Sequence, residues 1–537
     1  MSEKTLRPEL FSLIHHIELN RAGWWEKAIQ RFIITTIWLL DSTKGMNERE
    51  ILKCLKEHFS ISLEIDKLLL QINQLISMGV IVSLPDGRYK VSESSLGEFN
   101  HDLEEAERIT KEAQSEFISL SAELCPNLNS MEVWDKFNEN FIIPLVKETG
   151  ANTYQLISGS NENQVEDSKF SKFLNCYPVS LHQNLYSAAS NFLYSKNPYV
   201  RSYILRLLNT FFFVEAGNLN ENTLDKLSST SNNQAEISIF IDTNFLFLMI
   251  GLDDNPSSST VLSLSQLINN ITGKINFKQL VLPQTLDEAI LVLKSKEDLF
   301  GGSKIVPNLA TSAMKVDVGG LTRKFLLEAQ KTKGGLSARD YFSTYRKNIV
   351  EIIQSKGIEI YNQNITAYDM RQDVVDDILA QQEFEKKKYG DRAKNYERLK
   401  HDVVLWHIVN DQRPKKVDNP LFAKFWVVTI DYRHLGFDAY KTQNLPAPIP
   451  VCIHPATLIQ ILQFWVPRTP QFEEVMFNSL RLPFLCQEFD TTTEQITIKI
   501  IQTLSRFESI NDLPESTVTG ILLNEALRQK LVTESDI

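Results

Sequence analysis

The sequence predicts an α/β fold in which buried parallel strands alternate with helices. The first observation is the stretch 237–248 (ISIFIDTNFLFL), in which four of the first five residues are apolar. A strand that is covered by helices on both sides has no solvent-exposed face. Its apolar residues therefore form a continuous run and do not alternate with polar residues. The second observation is the stretch 425–432 (FWVVTIDY), which repeats this pattern. Helical patterns separate the two, and strands that alternate with helices normally pair in parallel.

Length and composition indicate a soluble globular protein with several domains. The chain has 537 residues, of which 43% are hydrophobic and 23% are charged, and this length suggests roughly three or four domains. The 56 Lys and Arg residues are outnumbered by 67 Asp and Glu residues, which gives a net charge of −11. Such an acidic balance argues against a general polyanion-binding surface but leaves room for a local basic patch.

The cysteines and the first residues favour a cytoplasmic protein. The chain has 5 cysteines, which lie far apart without a CxxC pair, so we predict reduced core residues and neither disulfides nor a cysteine zinc site. The segment 1–10 lacks the basic and apolar runs of a secretory signal. The apolar segment 32–40 is much shorter than the ~20 residues that cross a bilayer, so we expect no membrane partner. The cysteines are Cys54, Cys125, Cys176, Cys452 and Cys486.

Residues 1–95 are predicted to form a small domain of three helices and a hairpin. Two extended runs within 80–91 are joined by Pro85-Asp86-Gly87, which is a strong hairpin signal. This combination resembles the winged-helix family. From their apolar periodicity, the helices are predicted at 24–41, 48–59 and 63–78.

The third of these helices bears on what the winged-helix resemblance implies. Binding DNA through this helix would need several cations for phosphate contacts, but the stretch 62–79 contains one lysine and no arginine. We therefore favour a protein partner or self-association through this domain. Arg88 and Lys90 on the hairpin keep DNA binding open as the alternative.

Residues 96–235 are predicted to be a helical region whose chemistry is not readable from the sequence. Phe211, Phe212 and Phe213 are expected in its core. The polar run 228–234 (SSTSNNQ) lacks periodicity, so it is predicted to be the linker to the first buried strand.

The sheet domain is predicted to span residues 236–465, followed by a helical, auxiliary tail at 466–537. Besides the two buried strands, shorter apolar runs predict strands at 279–282, 358–361 and 451–453. Helices are predicted at 261–271, 283–293, 400–409 and 457–464.

An insertion at about 295–400 carries a local excess of positive charge. From Ile290 to Lys400 there are 20 Lys and Arg residues against 15 Asp and Glu residues, hence 20 − 15 = +5. This reversal of sign would suit contact with a nucleic-acid backbone, although a solvated helical face explains any single lysine equally well. The cations near its end are Lys386, Lys387, Lys388, Arg392, Lys394, Arg398 and Lys400.

Four acidic residues are predicted to meet at one edge of the sheet. Asp242 and Asp431 each follow a buried strand, and parallel neighbours end at the same edge, where open α/β sheets bind ligands. Glu288 near the start of one helix and Asp402 beside the buried face of another would complete the cluster. Like charges this close need compensation, which Mg²⁺ or Mn²⁺ can supply through oxygen ligands. A simpler explanation of Asp242 is that it only caps the following helix.

In four segments of this domain the chain resembles the PIN-domain nuclease family. The DTN after an apolar strand, the LPQTLDE turn, the HDVVLW helix and the VVTID strand end occur in the family's order within about 236–465. The resemblance implies a doubly wound parallel sheet and metal-dependent hydrolysis of phosphodiesters, usually in RNA. It further implies that the catalytic, metal-binding acids are Asp242, Glu288, Asp402 and Asp431, with Asn244 and Thr429 as supporting residues.

The long spacing between Glu288 and Asp402 departs from the compact family pattern. Asp376 and Asp377 are therefore alternatives to Asp402, and Asp287 is an alternative to Glu288.

The leading functional hypothesis is a metal-dependent endoribonuclease that its N-terminal regions regulate or recruit to a partner. This architecture would suit a toxin-like or phage-defence effector. The alternatives are a DNA nuclease with the same acidic site, a catalytically silent scaffold with a PIN-like fold, and a winged-helix regulator that binds nucleic acid. A zinc site is not expected, because His401 and His407 lack a third His or Cys at ligand spacing.

Overall fold

The computed structural model describes most of the chain. The predicted linker at 228–234 and most of the predicted helix at 261–271 lie outside the described residues. The described segments are 23–41, 44–59, 61–147, 169–216, 235–254, 275–316, 318–390, 393–415, 422–443, 449–463, 469–479, 491–507 and 512–533, together with isolated positions between them.

Helices make up most of the described structure. None of the described helices combines the length and the apolarity needed to cross a membrane. The strands are β1 (Ile81–Ser83), β2 (Tyr89–Val91), β3 (Ala235–Ile241), β4 (Ile275–Val281), β5 (Lys304–Ile305), β6 (Leu336–Ser337), β7 (Ile358–Ile360), β8 (Phe425–Val428) and β9 (Cys452–Ile453). The α-helices are α1 (Trp24–Asp41), α2 (Glu48–Phe59), α3 (Ile65–Ser77), α4 (Glu93–Leu124), α5 (Ser130–Phe137), α6 (Lys169–Leu174), α7 (His182–Leu193), α8 (Pro198–Ala216), α9 (Thr243–Met249), α10 (Pro283–Phe300), α11 (Pro307–Ala313), α12 (Gly320–Lys331), α13 (Ala338–Ser355), α14 (Gln372–Tyr389), α15 (Tyr396–Gln412), α16 (Tyr432–Thr442), α17 (Pro455–Leu462), α18 (Pro470–Ser479), α19 (Thr491–Leu504), α20 (Glu515–Leu522) and α21 (Glu525–Thr533). Short π- and 3-10 helices lie at Asn138–Ile142, Val179–Leu181 and Thr366–Met370.

Five parallel strands form the central sheet, in the order β7-β4-β3-β8-β9. β3 lies in the middle, where Ile239 is paired with Gln279 of β4 on one side and with Trp426 of β8 on the other. The chain adds β4 and β7 on one side of β3, and then crosses over to add β8 and β9 on the other side. The direction of winding therefore reverses between β3 and β8, as it does in open α/β sheets with this strand order. The predicted α/β class with a parallel sheet is confirmed.

Apolar side chains cover both faces of this sheet. On β3, Ile237, Ile239 and Ile241 belong to one hydrophobic core, whereas Phe240 belongs to a second core together with Trp406 of α15. This division follows from strand geometry, because successive side chains point to opposite faces. Burial of each such side chain contributes about 1.5–3 kcal/mol. Packing on both faces therefore fixes the register in which the strands meet.

The three N-terminal helices and the hairpin form where the sequence predicts them. α1 and α2 have the predicted bounds, and α3 is slightly shorter than predicted. β1 and β2 pair in antiparallel fashion across Pro85-Asp86-Gly87, and Gly87 has a φ of 80°, a conformation that glycine adopts without strain. The identification of these elements as a winged helix stays a prediction.

The middle region is helical where the structure describes it, and it packs against the N-terminal helices. In the long helix α4, buried Phe117 stacks on Phe137 with the ring centroids 4.1 Å apart. Trp24 of α1 contacts Phe213 of α8, with the ring centroids 6.0 Å apart. The expected burial of Phe211–Phe213 is confirmed. The two regions consequently share one hydrophobic core.

The insertion contributes a strand to the sheet. Its strand β7 pairs with β4, with Glu359 beside Leu280. The insertion therefore forms one edge of the sheet, and it is not merely an addition to the surface.

The C-terminal tail is helical, as predicted, but it is not auxiliary to the fold. Glu494 of α19 is 6% exposed and lies against α10 and α12. Its carboxylate accepts hydrogen bonds from Lys296 Nζ at 2.7 Å and from Thr322 Oγ1 at 2.5 Å. The amide of Gly319 donates a third hydrogen bond at 3.2 Å. This buried network joins the tail to the sheet domain.

Replacing Glu494 by alanine should loosen the tail. The change leaves the ammonium of Lys296 without its carboxylate, and breaking a buried ion pair typically costs about 3–5 kcal/mol. Amide hydrogen exchange across 491–504 and 283–300 should accelerate at least tenfold, because ~1.4 kcal/mol already corresponds to that factor. Glu525→Ala, at an exposed position of the same tail, is the matched control and should leave both segments unchanged. Unchanged exchange in Glu494→Ala would contradict this account.

Candidate metal centre

Two of the predicted acids lie at the edge of the sheet where the winding direction reverses. Asp242 directly follows β3, and Asp431 lies three residues beyond β8. The amide of Asp242 donates a 3.2 Å hydrogen bond to the carbonyl of Val428. The pairing of the two strands thus continues up to the first acidic residue. Open α/β sheets bind their ligands in the crevice at such a reversal.

Both aspartates cap the helix that follows them. Asp242 Oδ1 accepts a 2.7 Å hydrogen bond from the amide of Thr243, and Asp431 Oδ1 accepts a 2.9 Å hydrogen bond from the amide of Arg433. The capping explanation of Asp242 is therefore correct but incomplete, because the second oxygen of each carboxylate has a different partner.

Thr429 joins the two aspartates. Its side chain is fully buried. Thr429 Oγ1 donates to Asp242 Oδ2 at 2.6 Å and accepts from the amide of Asp431 at 3.0 Å. This threonine therefore fixes the orientation of the Asp242 carboxylate, which suits the supporting role that the resemblance implies.

Glu288 reaches the same edge from the second turn of α10. That helix begins at Pro283, a residue whose fixed φ suits the first helical position. Glu288 Oε2 accepts a 2.5 Å hydrogen bond from Thr243 Oγ1 and lies 3.2 Å from His401 Nδ1. Burial raises the pKa of Glu288, while the charge of His401 and the hydrogen bond from Thr243 oppose that shift.

Asp402, near the start of α15, pairs with a lysine of the insertion. Lys394 Nζ lies 2.5 Å from Asp402 Oδ2 and 2.6 Å from Asp431 Oδ2. Burial alone would raise the pKa of Asp402, but the ammonium of Lys394 holds that pKa well below its usual range. One ammonium therefore bridges two of the four predicted acids.

His401 forms a second cationic contact with the acids. Its Nδ1 lies 3.2 Å from Glu288, 3.4 Å from Asp402 and 4.0 Å from Asp242, while its Nε2 is 2.8 Å from Thr285 Oγ1. Burial alone would lower the pKa of His401, but the hydrogen bond to Asp402 and the neighbouring carboxylates raise it to about 9. In its charged form the ring pairs with these carboxylates, and a charged imidazole has no lone pair for a metal ion.

His434 lies in the first turn of α16 and is 1% exposed. Neither of its ring nitrogens has a hydrogen-bond partner among the described residues. One ring nitrogen lies within 4.8 Å of carboxylate oxygens of both Asp242 and Asp402. Buried polar groups are normally satisfied, so a metal ion fits as the missing partner of this ring. Asp242, Glu288 and His401 form a second set that meets the same distance criterion.

No protein-family model, curated protein or solved structure matches the chain. The function therefore has to be inferred from the chemistry of the site. Carboxylate ligands favour Mg²⁺ and Mn²⁺, and imidazole is a ligand for many divalent metals. Two carboxylates with one free imidazole thus suit a divalent cation.

Among the described residues, Asp431 belongs to neither set of potential ligands, and the remaining predicted positions lie outside both sets as well. Asn244 is exposed, and its side chain has no hydrogen-bond partner among the described residues, so no contact supports its expected role. Asp287 and Asp376 are exposed as well. Asp377 accepts a 2.7 Å hydrogen bond from His407 Nε2, further along α15. Among the described residues, neither set contains any of the three alternative aspartates.

Sequence reasoning misses two residues of this centre. Lys394 is predicted only as one of several insertion cations, and His434 is not singled out. A signal for His434 exists, because it follows Asp431 by three residues and side chains at that spacing share one face of a helix. No comparable signal exists for Lys394, since its position depends on the tertiary path of the insertion.

A half-buried histidine at the same edge of the sheet should make the fold sensitive to acid. His454 follows β9, and burial lowers its pKa to about 4. Its contribution to stability is complete above pH 6.5 and is lost as the pH falls from 6.5 towards 4. His454 Nδ1 also accepts from the amide of Ala456 at 3.2 Å, a cap that His454→Asn can keep without titrating.

The His454→Asn variant should therefore lose less stability than the wild type between pH 7.5 and pH 4.5. Thermal melting of both proteins at these two pH values measures the difference. An identical pH dependence in the two proteins would contradict the assigned role of His454.

Proposed function

We propose that the protein is a metal-dependent endoribonuclease that hydrolyses phosphodiester bonds in RNA, with a PIN-like sheet domain as its nuclease unit. The observation that carries the proposal is the meeting of four carboxylates at the reversal point of the sheet, around the buried side chains of Lys394 and His401. These acids come from separate segments of the chain. Nucleases use such convergent carboxylates to hold divalent cations.

Asp242, Asp402 and His434 are the residues that would hold Mg²⁺ or Mn²⁺. Glu288 and Asp431 lie beside them and can bind water molecules of a hydrated cation, because such ions keep several waters. When bound, the ion lowers the pKa of a water molecule and stabilises charge on the phosphate.

The chain itself supplies orientation and charge. Thr429 fixes the carboxylate of Asp242, and Thr243 fixes that of Glu288. Charged His401 holds Glu288 and Asp402 in place by contacts of 3.2 and 3.4 Å. Because water serves as the nucleophile, the site needs no serine or cysteine.

Exposed cations and aromatic rings near Lys394 support a nucleic-acid substrate. Lys386–Lys388 are exposed at the end of α14, a few residues before Lys394. Phe384 is 50% exposed and Tyr396 is 43% exposed. Proteins that bind single-stranded nucleic acids usually combine lysines, which attract the phosphate backbone, with aromatic rings, which stack on the bases. The choice of RNA over DNA rests on the resemblance to the PIN family.

We further propose that the N-terminal regions recruit a protein partner or a second copy of the chain. On α3, Ile65 is 47% exposed and Leu70 is 56% exposed, and Lys67 is the only cation of that helix. Such an apolar surface suits a protein better than a phosphate backbone. A nuclease controlled in this way would suit a toxin-like or phage-defence effector in the cytoplasm.

One observation favours a catalytically silent scaffold as the second candidate. Lys394 contacts Asp402 and Asp431 directly, so part of the acidic cluster is neutralised by the chain itself. A scaffold would need no further cation, whereas a nuclease must bind one.

Asp242→Asn should abolish cleavage of RNA. The amide keeps the shape of the side chain but removes the charge that a divalent ion requires, so the loss should exceed the ~10–100-fold typical of residues that only orient metal ligands. The assay compares single-stranded RNA, structured RNA and single-stranded DNA with Mn²⁺, with Mg²⁺ and with EDTA. Cleavage in EDTA, or undiminished cleavage by the variant, would refute the proposal. Cleavage of DNA alone would change the substrate but keep the site.

A pair of matched variants tests the assignment of the third acid. Asp402→Asn should abolish cleavage, because Asp402 lies within reach of both Asp242 and His434. Asp376→Asn makes the same chemical change at an exposed position of α14 and should cleave RNA at the wild-type rate. The opposite ranking of the two variants would assign the site to Asp376.

A further inference from the structure

Lys394 lies where a second cation would be expected in the acidic centre. Its Nζ is 2.5 Å from Asp402 Oδ2 and 2.6 Å from Asp431 Oδ2, and these contacts leave no room for an ion between the same two oxygens. Centres with two metal ions hold them ~3.5–4 Å apart. Asp402 could contact two cations at such a distance. It already contacts the ammonium of Lys394, and one of its oxygens also lies within 4.8 Å of potential ligand atoms of His434 and Asp242.

The surrounding chain fixes Lys394 from both sides. Its backbone amide donates to Glu385 Oε2 at 3.2 Å, and Arg433 Nη1 donates to the same oxygen at 2.9 Å. Glu385 is fully buried. The next residue, Asn395, caps α15 by accepting a 3.0 Å hydrogen bond from the amide of Arg398. Lys394 is therefore held at a defined point between two helices.

Lys394 is also too deeply buried to be an incidental surface contact. Its side chain is 12% exposed, and those of Asp402 and Asp431 are 13% and 17% exposed. Removal of one partner from such a pair leaves a buried charge, which is strongly unfavourable. An ammonium group has three N–H donors. Two of them serve the two carboxylates, and the third remains for an oxygen of a substrate phosphate.

We propose that the ammonium of Lys394 permanently occupies the position of a second metal ion, so that the centre binds a single divalent cation through Asp242, Asp402 and His434. This inference rests on the proposed function, because it states how many ions that site takes. His434 is an independent sign of a metal position, since neither nitrogen of its buried ring has a hydrogen-bond partner among the described residues. Lys394 then supplies the second positive charge that acts on the phosphate.

Counting bound Mn²⁺ tests the inference. Titration of the full chain with MnCl₂, followed by calorimetry and by the EPR signal of free Mn²⁺, should give one ion per chain. Lys394→Met removes the charge with little change in length and frees Asp402 and Asp431 for a metal, so this variant should bind two ions. Lys394→Arg keeps the charge and should bind one. Lys400→Met removes a lysine that is paired with Asp369 at 3.1 Å; it is the matched control and should bind one ion.

Asp431→Asn keeps the test decisive even if Lys394→Met folds poorly. Asparagine retains the oxygen that caps α16. Because Asp431 contacts Lys394 and is not a direct ligand of the ion in this proposal, Asp431→Asn should still bind one Mn²⁺. In a centre with two metal ions, the same change would lower the number from two to one.

The possible outcomes separate the inference from the proposed function. Two ions in the wild-type protein would overturn the role of Lys394 and leave the nuclease proposal intact. One ion in both the wild type and a folded Lys394→Met variant would also overturn that role, because the position would then not be a metal position. Absence of Mn²⁺ binding together with absence of cleavage would overturn the proposed function and the inference with it.

Discussion

The pairing of β3 with β8 is the constraint on which the acidic centre depends. Their hydrogen bonds continue to Asp242, whose amide donates to Val428, and this places Thr429 beside the carboxylate that it orients. A slip of one residue would turn every side chain of the strand to the opposite face. The apolar residues on both faces prevent that slip. The packing of the two cores and the geometry of the site are therefore one property of the fold.

Charge compensation is the second constraint. Four carboxylates meet Lys394 and His401, and if all of these groups are ionised the centre carries −4 + 2 = −2. A single divalent cation balances this charge. In this ionisation state, the charge of the site is the one that the single divalent ion proposed above would balance. They also explain how a cluster of acids can persist in a buried position, because each acid touches a cationic side chain or a hydroxyl donor.

The sequence predicts the parts of this centre that lie on regular elements. The positions of Asp242 and Asp431 are predictable because each residue follows an apolar run. The position of Glu288 is predictable because a proline marks the start of its helix. The order of the strands is not predictable in this way, since it depends on which edge each crossover reaches. The insertion shows the limit most clearly. Its strand at 358–361 is predicted, but the position of β7 at the edge of the sheet beside β4 is not. The entry of Lys394 into the centre is not predicted either, because in the sequence this lysine is one of many cations in a long segment.

We propose that Asp242, Asp402 and His434 together bind one divalent ion beside the fixed ammonium of Lys394. The most direct measurement is an anomalous-scattering map from crystals grown with Mn²⁺. One peak bounded by these three side chains is expected, with Lys394 still in contact with Asp402 and Asp431. A map without a peak at this position, or with a peak between Asp402 and Asp431 in place of the ammonium, would contradict this proposal.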